Sequence, residues 1–308
     1  MSVFFWFQRV IRWFAAAFLE WSKGLQGPEI IRKLNSFLHK NLLARRNTRQ
    51  SISRAIESGA IHPFFQPQVS LETWDVTGFE ALARWTHPEK GLIPPAEFLP
   101  QIEELGMMPQ LGFCMLDSAL KALRDWRDAG FDVPTVSVNF SSEELRNPNL
   151  VKYVSLGLAK FDIAPESLVV EVLETVVAQQ RRDGIQDNLR ALSQLGCVID
   201  LDDFGTGSTS ITSIRRFGVD RIKIDRSFIS HCDGDTDKQS MIEMIVAMSN
   251  KMSVGTVAEG AESDAELAFL QRTKCESVQG FGIAPPLAPG DVLGWLKNRK
   301  ASVQALGA

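Results

Sequence analysis

Six acidic side chains end short apolar runs of this sequence or follow them closely: Glu80, Glu171, Asp202, Asp203, Glu259 and Glu262. Only Arg84 and Lys223 occupy comparable positions, so carboxylates brought together there would repel each other and have raised pKa values. Divalent cations would remove this repulsion, and an all-oxygen ligand set that includes Asn139 selects Mg²⁺ or Mn²⁺ over Zn²⁺. The adjacent pair at 202–203 suits two cations that share a ligand, the arrangement used for in-line attack on phosphodiesters. We expect Lys223 to orient or deprotonate an attacking water, or to neutralise phosphate charge.

The sequence does not show the residue patterns of several other kinds of active site. The four histidines and four cysteines show no ligand or disulfide spacing, which excludes a Cys-based zinc site and favours a reducing cytosol. The Gly205-Thr-Gly207 segment has neither the third glycine of a dinucleotide fingerprint nor the lysine of a P-loop. A Schiff-base lyase that uses Lys223 is disfavoured, because this lysine would lie among carboxylates rather than in an apolar pocket that lowers its pKa.

The elements that must position these residues alternate between strands and helices. Eight short β-rich runs are separated mostly by amphipathic helical stretches, which predicts parallel βα units. About eight such units is the size of a (β/α)₈ TIM-like barrel. The turn at 71–75 is too short for a crossover helix, so the first strand pair is predicted to be antiparallel. The predicted strands are residues 62–69, 76–85, 135–140, 167–173, 197–201, 221–224, 253–258 and 276–279.

A polar side chain lies at or next to the end of nearly every predicted strand. In a barrel these positions converge on one rim, where the active sites of this fold are built. One such residue would carry little weight, but a series of them indicates a functional rim. The series is Gln66, Glu80, Asn139, Glu171, Asp202 with Asp203, Lys223, Glu259 and Gln279.

Charge is divided unevenly along the 308 residues, whose net charge is −4. Residues 1–60 hold ten basic and three acidic side chains, a net charge of +7, while the remainder has a net charge of −11. The total predicts no nucleic-acid polymer as a partner. A basic arm precedes an acidic body.

The arm is predicted to begin with an amphipathic helix over residues 1–27, with Phe and Trp on one face and Arg9 and Arg12 on the other. The two arginines interrupt the apolar stretch, which disfavours a signal peptide and a membrane-spanning helix. Two interpretations stay open. Residues 1–22 lie in the plane of an anionic inner-membrane surface, or this helix packs on the chain itself or on a second copy. Residues 28–50 are predicted to be a helical linker or a homodimer contact.

Several motifs together resemble the EAL-domain cyclic di-GMP phosphodiesterases over about residues 50–298. Glu80-Ala-Leu82-x-Arg84 is preceded by Phe65-Gln66-Pro67, and Asp202-Asp203-Phe-Gly-Thr-Gly207 follows later in the chain. The other similar motifs are Val138-Asn139-Phe140-Ser141, Lys223-Ile-Asp225-Arg-Ser-Phe228, Ala258-Glu259-Gly-x-Glu262 and Gln279-Gly-Phe281. Departures at Leu173, Ser208 and 282–285 remove neither a predicted ligand nor the lysine.

The resemblance implies roles for individual residues. One cation would be bound by Glu80, Asn139, Glu171 and Asp202, and the second by Asp202 and Asp203. Lys223, Glu259 and Glu262 would be catalytic. The dinucleotide would contact Gln66, Leu82, Arg84, Asp225 and Gln279, and Glu174 would stabilise the loop after Asp203.

The function implied by the resemblance is hydrolysis of cyclic di-GMP to linear pGpG in bacterial signalling, with two Mg²⁺ or Mn²⁺ ions per site and inhibition by Ca²⁺. The alternative is an effector module that binds cyclic di-GMP without cleaving it. The predicted domains are the arm at 1–27, the linker at 28–50, the phosphodiesterase barrel at 51–300 and a tail at 301–308. A cytoplasmic location is expected, with or without peripheral membrane contact.

Overall fold

The computed structural model describes residues 27–178, 184–207 and 211–306. The chain divides into two compact units. The first comprises Met1–Ile61 and Trp85–Met108, and the second comprises His62–Arg84 and Pro109–Ala308. The predicted amphipathic helix lies, up to residue 26, outside the described residues.

A closed barrel of eight strands forms the second unit, as the sequence predicts. Neighbouring strands are parallel, except that β1 runs antiparallel to β9 and also pairs with β2. Each of the eight predicted runs overlaps one strand of the barrel. The strands are β1 Ile61–Ser70, β2 Val76–His87, β4 Thr135–Asn139, β5 Leu168–Leu173, β6 Val198–Phe204, β7 Arg221–Ile224, β8 Gly255–Glu259 and β9 Ser277–Gln279.

Helices follow most of these strands in the second unit and cover them. They are α3 Met108–Asp128, α4 Ser142–Leu145, α5 Leu150–Phe161, α6 Glu174–Ala178, α7 Ile185–Leu195, α8 Ile211–Phe217, α9 Arg226–Ile229, α10 Thr236–Met252, α11 Asp264–Thr273 and α12 Val292–Leu306, with a 3₁₀ turn at Pro165–Ser167. The alternation of strand and helix is the reason that the strands can lie parallel.

Burial on both faces explains the apolar composition of the strands. Five of the six residues of β5 are buried, since one face lies inside the barrel and the other under helices. On the outer surface, the Trp126 ring of α3 contacts Phe65 and Phe79 at centroid distances of 4.9 and 4.8 Å. Trp295 of α12 contacts the same Phe79 ring at 5.8 Å. These aromatic contacts fix two helices on the first strand pair.

The first unit contains α1 Gly27–Glu57, α2 Pro95–Glu104 and the short strand β3 Gly91–Ile93. The last three residues of β2 pair with β3, which the sequence did not predict because three residues show no periodicity. Arg45 and Arg49 of α1 donate hydrogen bonds to the carbonyls of Glu104 and Leu105 at the end of α2. The predicted helix at 28–50 is part of this longer helix α1, which extends to Glu57. None of the helices among the described residues has the length and apolar character to span a membrane.

Candidate functional site

A single lysine occupies the centre of the barrel rim. Lys223 of β7 has a side chain that is only 1% exposed, yet its ammonium group faces four carboxylates. Its Nζ lies 2.7 Å from Glu259, 2.9 Å from Glu171, 3.1 Å from Asp202 and 3.4 Å from Glu80. We call these five residues the rim cluster. Four acidic groups around one cation leave an excess of negative charge at this end of the barrel.

Amide side chains hold the outer carboxylate of the rim cluster. Asn139 of β4 donates a hydrogen bond to Glu80 Oε1 at 2.8 Å, and Gln279 of β9 donates to Glu80 Oε2 at 2.5 Å. The same Gln279 Nε2 lies 3.0 Å from Gln66 Oε1, and Gln68 donates to Gln279 Oε1 at 2.9 Å. Both oxygens of Glu80 are thus held by amide side chains of β4 and β9.

Burial and mutual repulsion shift the pKa values of several groups in the rim cluster. Burial raises the pKa of Glu171 well above its usual range, and the negative charge of Glu80 adds to this effect. Burial likewise raises the pKa of Glu259 to about 8, although Lys223 opposes the shift. For Lys223 itself, burial lowers the pKa, but the surrounding carboxylates outweigh it and the pKa lies well above the ordinary value. Glu80 is the exception: burial is outweighed by Lys223 and the hydrogen bonds, so its pKa is lowered.

A bulge in β6 turns two consecutive aspartates toward the same region. The pairing of β6 with β7 shifts register between Leu201 and Phe204, and Asp203 adopts a left-handed backbone with φ of 55°. As a result, carboxylate oxygens of Asp202, Asp203 and Glu259 lie within 4.8 Å of one another. Burial and the charge of Asp202 raise the pKa of Asp203 to about 6. The sequence placed both aspartates at a strand end but did not predict the bulge.

Glu174 lies under the loop that follows β6 and contacts its backbone. This buried carboxylate accepts hydrogen bonds from the backbone N–H groups of Gly205 at 2.8 Å and Gly207 at 3.2 Å. Gly205 has φ of 101°, and a β-carbon there would lie 2.6 Å from the Phe228 ring, so only glycine fits. The described part of the loop is therefore anchored at both glycines.

Four further predicted site residues are also not members of the rim cluster. Glu262 pairs with Arg226 at 2.6 Å, with both side chains about half exposed. Arg84 donates to the carbonyl of its neighbour Ala83, and its guanidinium lies 5.9 Å from the Phe64 ring. The other two are Leu82, half-buried on β2, and Asp225, whose carboxylate accepts the Ser227 N–H at the start of α9.

Gln68 is a site residue that the sequence analysis did not single out. It is fully buried and contacts Gln279 of the amide network. A signal was present, because Gln66 and Gln68 lie two positions apart in a largely apolar run and so share one face of β1. A polar pair on the interior face of a barrel strand needs partners there.

The arrangement fits divalent cations. Glu171 Oε1 is buried with no hydrogen-bond partner among the described residues, and apart from the lysine the rim cluster consists of carboxylates. Carboxylate oxygens without histidine or cysteine are the ligands of Mg²⁺ and Mn²⁺. Cations would cancel the excess negative charge and allow an anionic substrate to approach the rim.

Comparison with known proteins identifies the family. The EAL domain profile matches residues 49–286, so the chain belongs to the EAL domain family. Over 242 residues it is 35% identical to the bifunctional diguanylate cyclase/cyclic di-GMP phosphodiesterase MucR of Pseudomonas aeruginosa, covering 79% of this chain and 35% of MucR. It is 32% identical to the cyclic di-GMP phosphodiesterase NbdA of the same organism, covering 86% of this chain and 36% of NbdA. The chain thus spans about a third of the length of these relatives.

Solved structures show the same barrel. A structure titled as the phosphodiesterase of PaMucR in complex with c-di-GMP superposes with a TM-score of 0.74 at 34% identity, covering 79% of this chain and 98% of that one. The EAL enzyme Bd1971, in a form with cAMP and cyclic di-GMP bound, gives a TM-score of 0.77 at 26% identity, covering 90% and 78%. The fold and its family are therefore established.

Proposed function

We propose that this protein hydrolyses cyclic di-GMP to linear pGpG in a divalent-metal-dependent reaction. The observation that carries the proposal is the rim cluster, in which four carboxylates surround one buried lysine at the end of a barrel. Such an excess of acidic oxygen is suited to cations and to a substrate with two phosphodiester groups. The relatives named cyclic di-GMP phosphodiesterases support the choice of substrate.

Two groups of residues would hold the cations. Glu80, Asn139, Glu171 and Asp202 are proposed to bind one, and Asp202 together with Asp203 the other. Bound Mg²⁺ or Mn²⁺ supplies positive charge that stabilises the negative charge developing on the phosphodiester in the transition state.

Lys223 positions or activates the water that attacks phosphorus, since its Nζ is fixed among the proposed ligands. A new P–O bond forms with the water oxygen, and the bond to the 3′ oxygen of one guanosine breaks. The water proton passes to the departing 3′ oxygen, which leaves a linear dinucleotide with a 5′ phosphate. We propose that Glu259 and Glu262 assist this proton transfer. The carboxylate of Glu259 lies 2.7 Å from Lys223 Nζ.

Substrate contacts are proposed around the rim cluster. The half-buried Arg84 carries a positive charge for a phosphate, and Asp225 offers an acceptor for guanine N–H groups. Gln66 and Gln279 present amides, and Leu82 an apolar surface. Glu174 contributes by holding the loop that follows Asp203.

The test is turnover of cyclic di-GMP by the purified chain with Mg²⁺ or Mn²⁺, with the product separated by chromatography. We expect linear pGpG as the product and no turnover in EDTA. The alternative function, binding without cleavage, predicts retained cyclic di-GMP and no product in either cation. Product formation in EDTA at the same rate would contradict the metal dependence.

Ca²⁺ offers a second test of the same site. It prefers more ligands at longer distances than Mg²⁺ does, so it should occupy the carboxylates without supporting turnover. We expect Ca²⁺ added to the Mg²⁺ enzyme to inhibit it. Full activity in Ca²⁺ alone would contradict the two-cation arrangement.

We also propose that residues 1–22 bind an anionic membrane surface peripherally. Each basic residue near such a surface contributes about 1 kcal/mol, so binding should weaken as salt is raised. Sedimentation with anionic liposomes should capture the full chain at low salt. A chain lacking residues 1–27 should stay in the supernatant and keep its turnover, because every proposed ligand lies beyond them. Loss of thermal stability on truncation would instead indicate packing on the chain itself or on a second copy.

A further inference from the structure

Four side chains from three strands form a continuous row of hydrogen bonds inside the barrel. Gln68 of β1 lies opposite Gln279 of β9 in the strand register and donates to its Oε1 at 2.9 Å. Gln279 in turn donates to Glu80 Oε2 of β2 and to Gln66 Oε1. Since β1 is antiparallel to the other strands, Gln68 lies one layer deeper in the barrel than Gln66.

The direction of this row is fixed by its end at Glu80. An ionised carboxylate only accepts hydrogen bonds, so Gln279 must turn its NH₂ group toward Glu80. Its oxygen then faces the interior and requires a donor, which Gln68 Nε2 provides. Without that donor, a buried amide oxygen would have no partner, and the Gln279 side chain would be free to rotate away from Glu80.

Gln68 adds little net stability in this position. Its Nε2 satisfies the buried oxygen of Gln279, but its own Oε1 is buried and has no hydrogen-bond partner among the described residues. An apolar side chain of similar length would exchange one unsatisfied buried oxygen for another. A residue that adds little stability, yet orients a neighbour of the rim cluster, is expected to act on the function of that cluster.

We infer that Gln68 is a positioning residue: through Gln279 it fixes Glu80 in the orientation that binds a divalent cation. The inference rests on the proposed function, in which Glu80 is a cation ligand. Gln68 is fully buried and lies one layer below Gln66, with its side-chain amide on Gln279, so we expect it to act through Gln279 and not on the substrate. Outer partners of ligating side chains commonly change metal affinity or activity by about 10–100-fold when removed.

The first experiment measures the dissociation constant for Mn²⁺ by electron paramagnetic resonance in the full chain and in Gln68→Met. We expect Mn²⁺ binding to weaken by about 10–100-fold, while the melting temperature stays the same or rises. Weaker Mn²⁺ binding without a lower melting temperature is the signature of a positioning role. Loss of a merely structural residue would lower both the Mn²⁺ affinity and the melting temperature.

Val69→Ala is the matched control. Val69 is as deeply buried and lies next to Gln68 on β1, but its side chain points to the other face of the strand. This substitution should lower the melting temperature and leave Mn²⁺ affinity unchanged. An equal loss of affinity in Val69→Ala would mean that any disturbance of β1 has this effect, and would overturn the inference.

A double-variant cycle tests the route through Gln279. Gln279→Met should weaken Mn²⁺ binding at least as much as Gln68→Met, and the double variant should bind no more weakly than Gln279→Met alone. Mn²⁺ affinity in Gln68→Met equal to that of the unaltered chain, or a further loss in the double variant, would overturn the inference. Mn²⁺ binding by the unaltered chain without turnover of cyclic di-GMP would contradict the proposed function, and not the role of Gln68.

Discussion

Two buried groups of charges lie one above the other on the same pair of strands and differ in balance. In the lower group, Asp200 of β6 and Arg221 of β7 face each other in register and form two hydrogen bonds at 2.9 and 2.7 Å. In the upper group, two residues further along each strand, Asp202 and Lys223 belong to the rim cluster. The lower group has one acid for one base, whereas the upper group has four acids for one base.

This difference in charge balance distinguishes a structural charge pair from a candidate cation site. Asp200 is fully buried, but the guanidinium satisfies both of its oxygens, and Asp200 in turn raises the pKa of Arg221 although burial acts in the opposite direction. Nothing in that pair calls for a ligand. The rim cluster instead holds carboxyl groups with raised pKa values, and Glu171 Oε1 has no hydrogen-bond partner in the part of the chain that the structure describes. Imbalance of charge, rather than burial of charge, is the reason that we propose cations at the rim cluster and not at the lower pair.

The largest effect is expected from Glu80→Ala. Removing a cation ligand should forfeit several kcal/mol of transition-state stabilisation and lower turnover by roughly 1000-fold or more. The fold should stay intact, because Glu80 lies at the rim rather than in the apolar core. Steady-state kinetics beside a melting curve would measure both. Retention of most activity would show that the rim cluster is not a cation site.

The opposite outcome is expected one layer below. Asp200→Ala leaves Arg221 without its partner and should lower the free energy of unfolding by about 3–5 kcal/mol. The double variant Asp200→Leu with Arg221→Met should recover much of that loss, because it removes both charges. Urea unfolding measures these changes. Turnover per folded molecule of the double variant should stay close to that of the unaltered chain. A large loss of turnover would contradict the assignment of Asp200 and Arg221 to a purely structural pair.

Lys223→Ala removes the only positively charged side chain of the rim cluster. Loss of a positioned acid–base group typically lowers turnover by about 100-fold or more, and we expect a much smaller change in the KM for cyclic di-GMP. Parallel losses in turnover and in substrate affinity would instead identify Lys223 as a phosphate clamp. Separate values of kcat and KM, determined with the substrate varied at saturating Mn²⁺, decide between these roles.

A buried carboxyl group outside both charge groups, that of Glu144, is expected to give the smallest effect. Burial raises the pKa of Glu144 from 4.5 to about 7, although hydrogen bonds from Ser141 oppose the shift. Between these pH values the unfolded chain binds fewer protons than the folded chain, so stability should fall as pH rises from about 4.5 to 7.

Glu144→Gln keeps a neutral side chain at this position and should remove that pH dependence, which we expect to amount to roughly 1–3 kcal/mol. Melting curves of both proteins across the pH range measure it. The same slope in both would show that Glu144 is ionised in the folded protein.

Much of the barrel could be predicted, because alternation of apolar strands and amphipathic helices is a property of short sequence windows. The polar strand ends likewise placed Glu80, Glu171 and Lys223 on one rim. The bulge at Asp203 could not be predicted, since it depends on the register between β6 and β7. Gln68 was missed for a similar reason: its importance comes from a partner 211 positions away in the sequence.

Glu262 shows the limit of inference from motifs. Its spacing after Glu259 suggested that both belong to one acidic cluster, but the backbone turns between them and Glu262 pairs with Arg226. A helix start explains the turn, because Ser263 and Glu266 form a capping box directly after Glu262. A catalytic part for Glu262 therefore stays a prediction that kinetics of Glu262→Gln can test.

The most direct test of the central claim counts the Mn²⁺ ions bound per chain by electron paramagnetic resonance. The unaltered chain and the Asp200→Leu, Arg221→Met double variant should each bind two ions, because the balanced pair contributes none of the ligands. Glu80→Ala should bind fewer ions, or bind them far more weakly, while still folded. Equal Mn²⁺ binding in all three proteins, or none in the unaltered chain, would contradict the claim that the unbalanced rim cluster is the cation site.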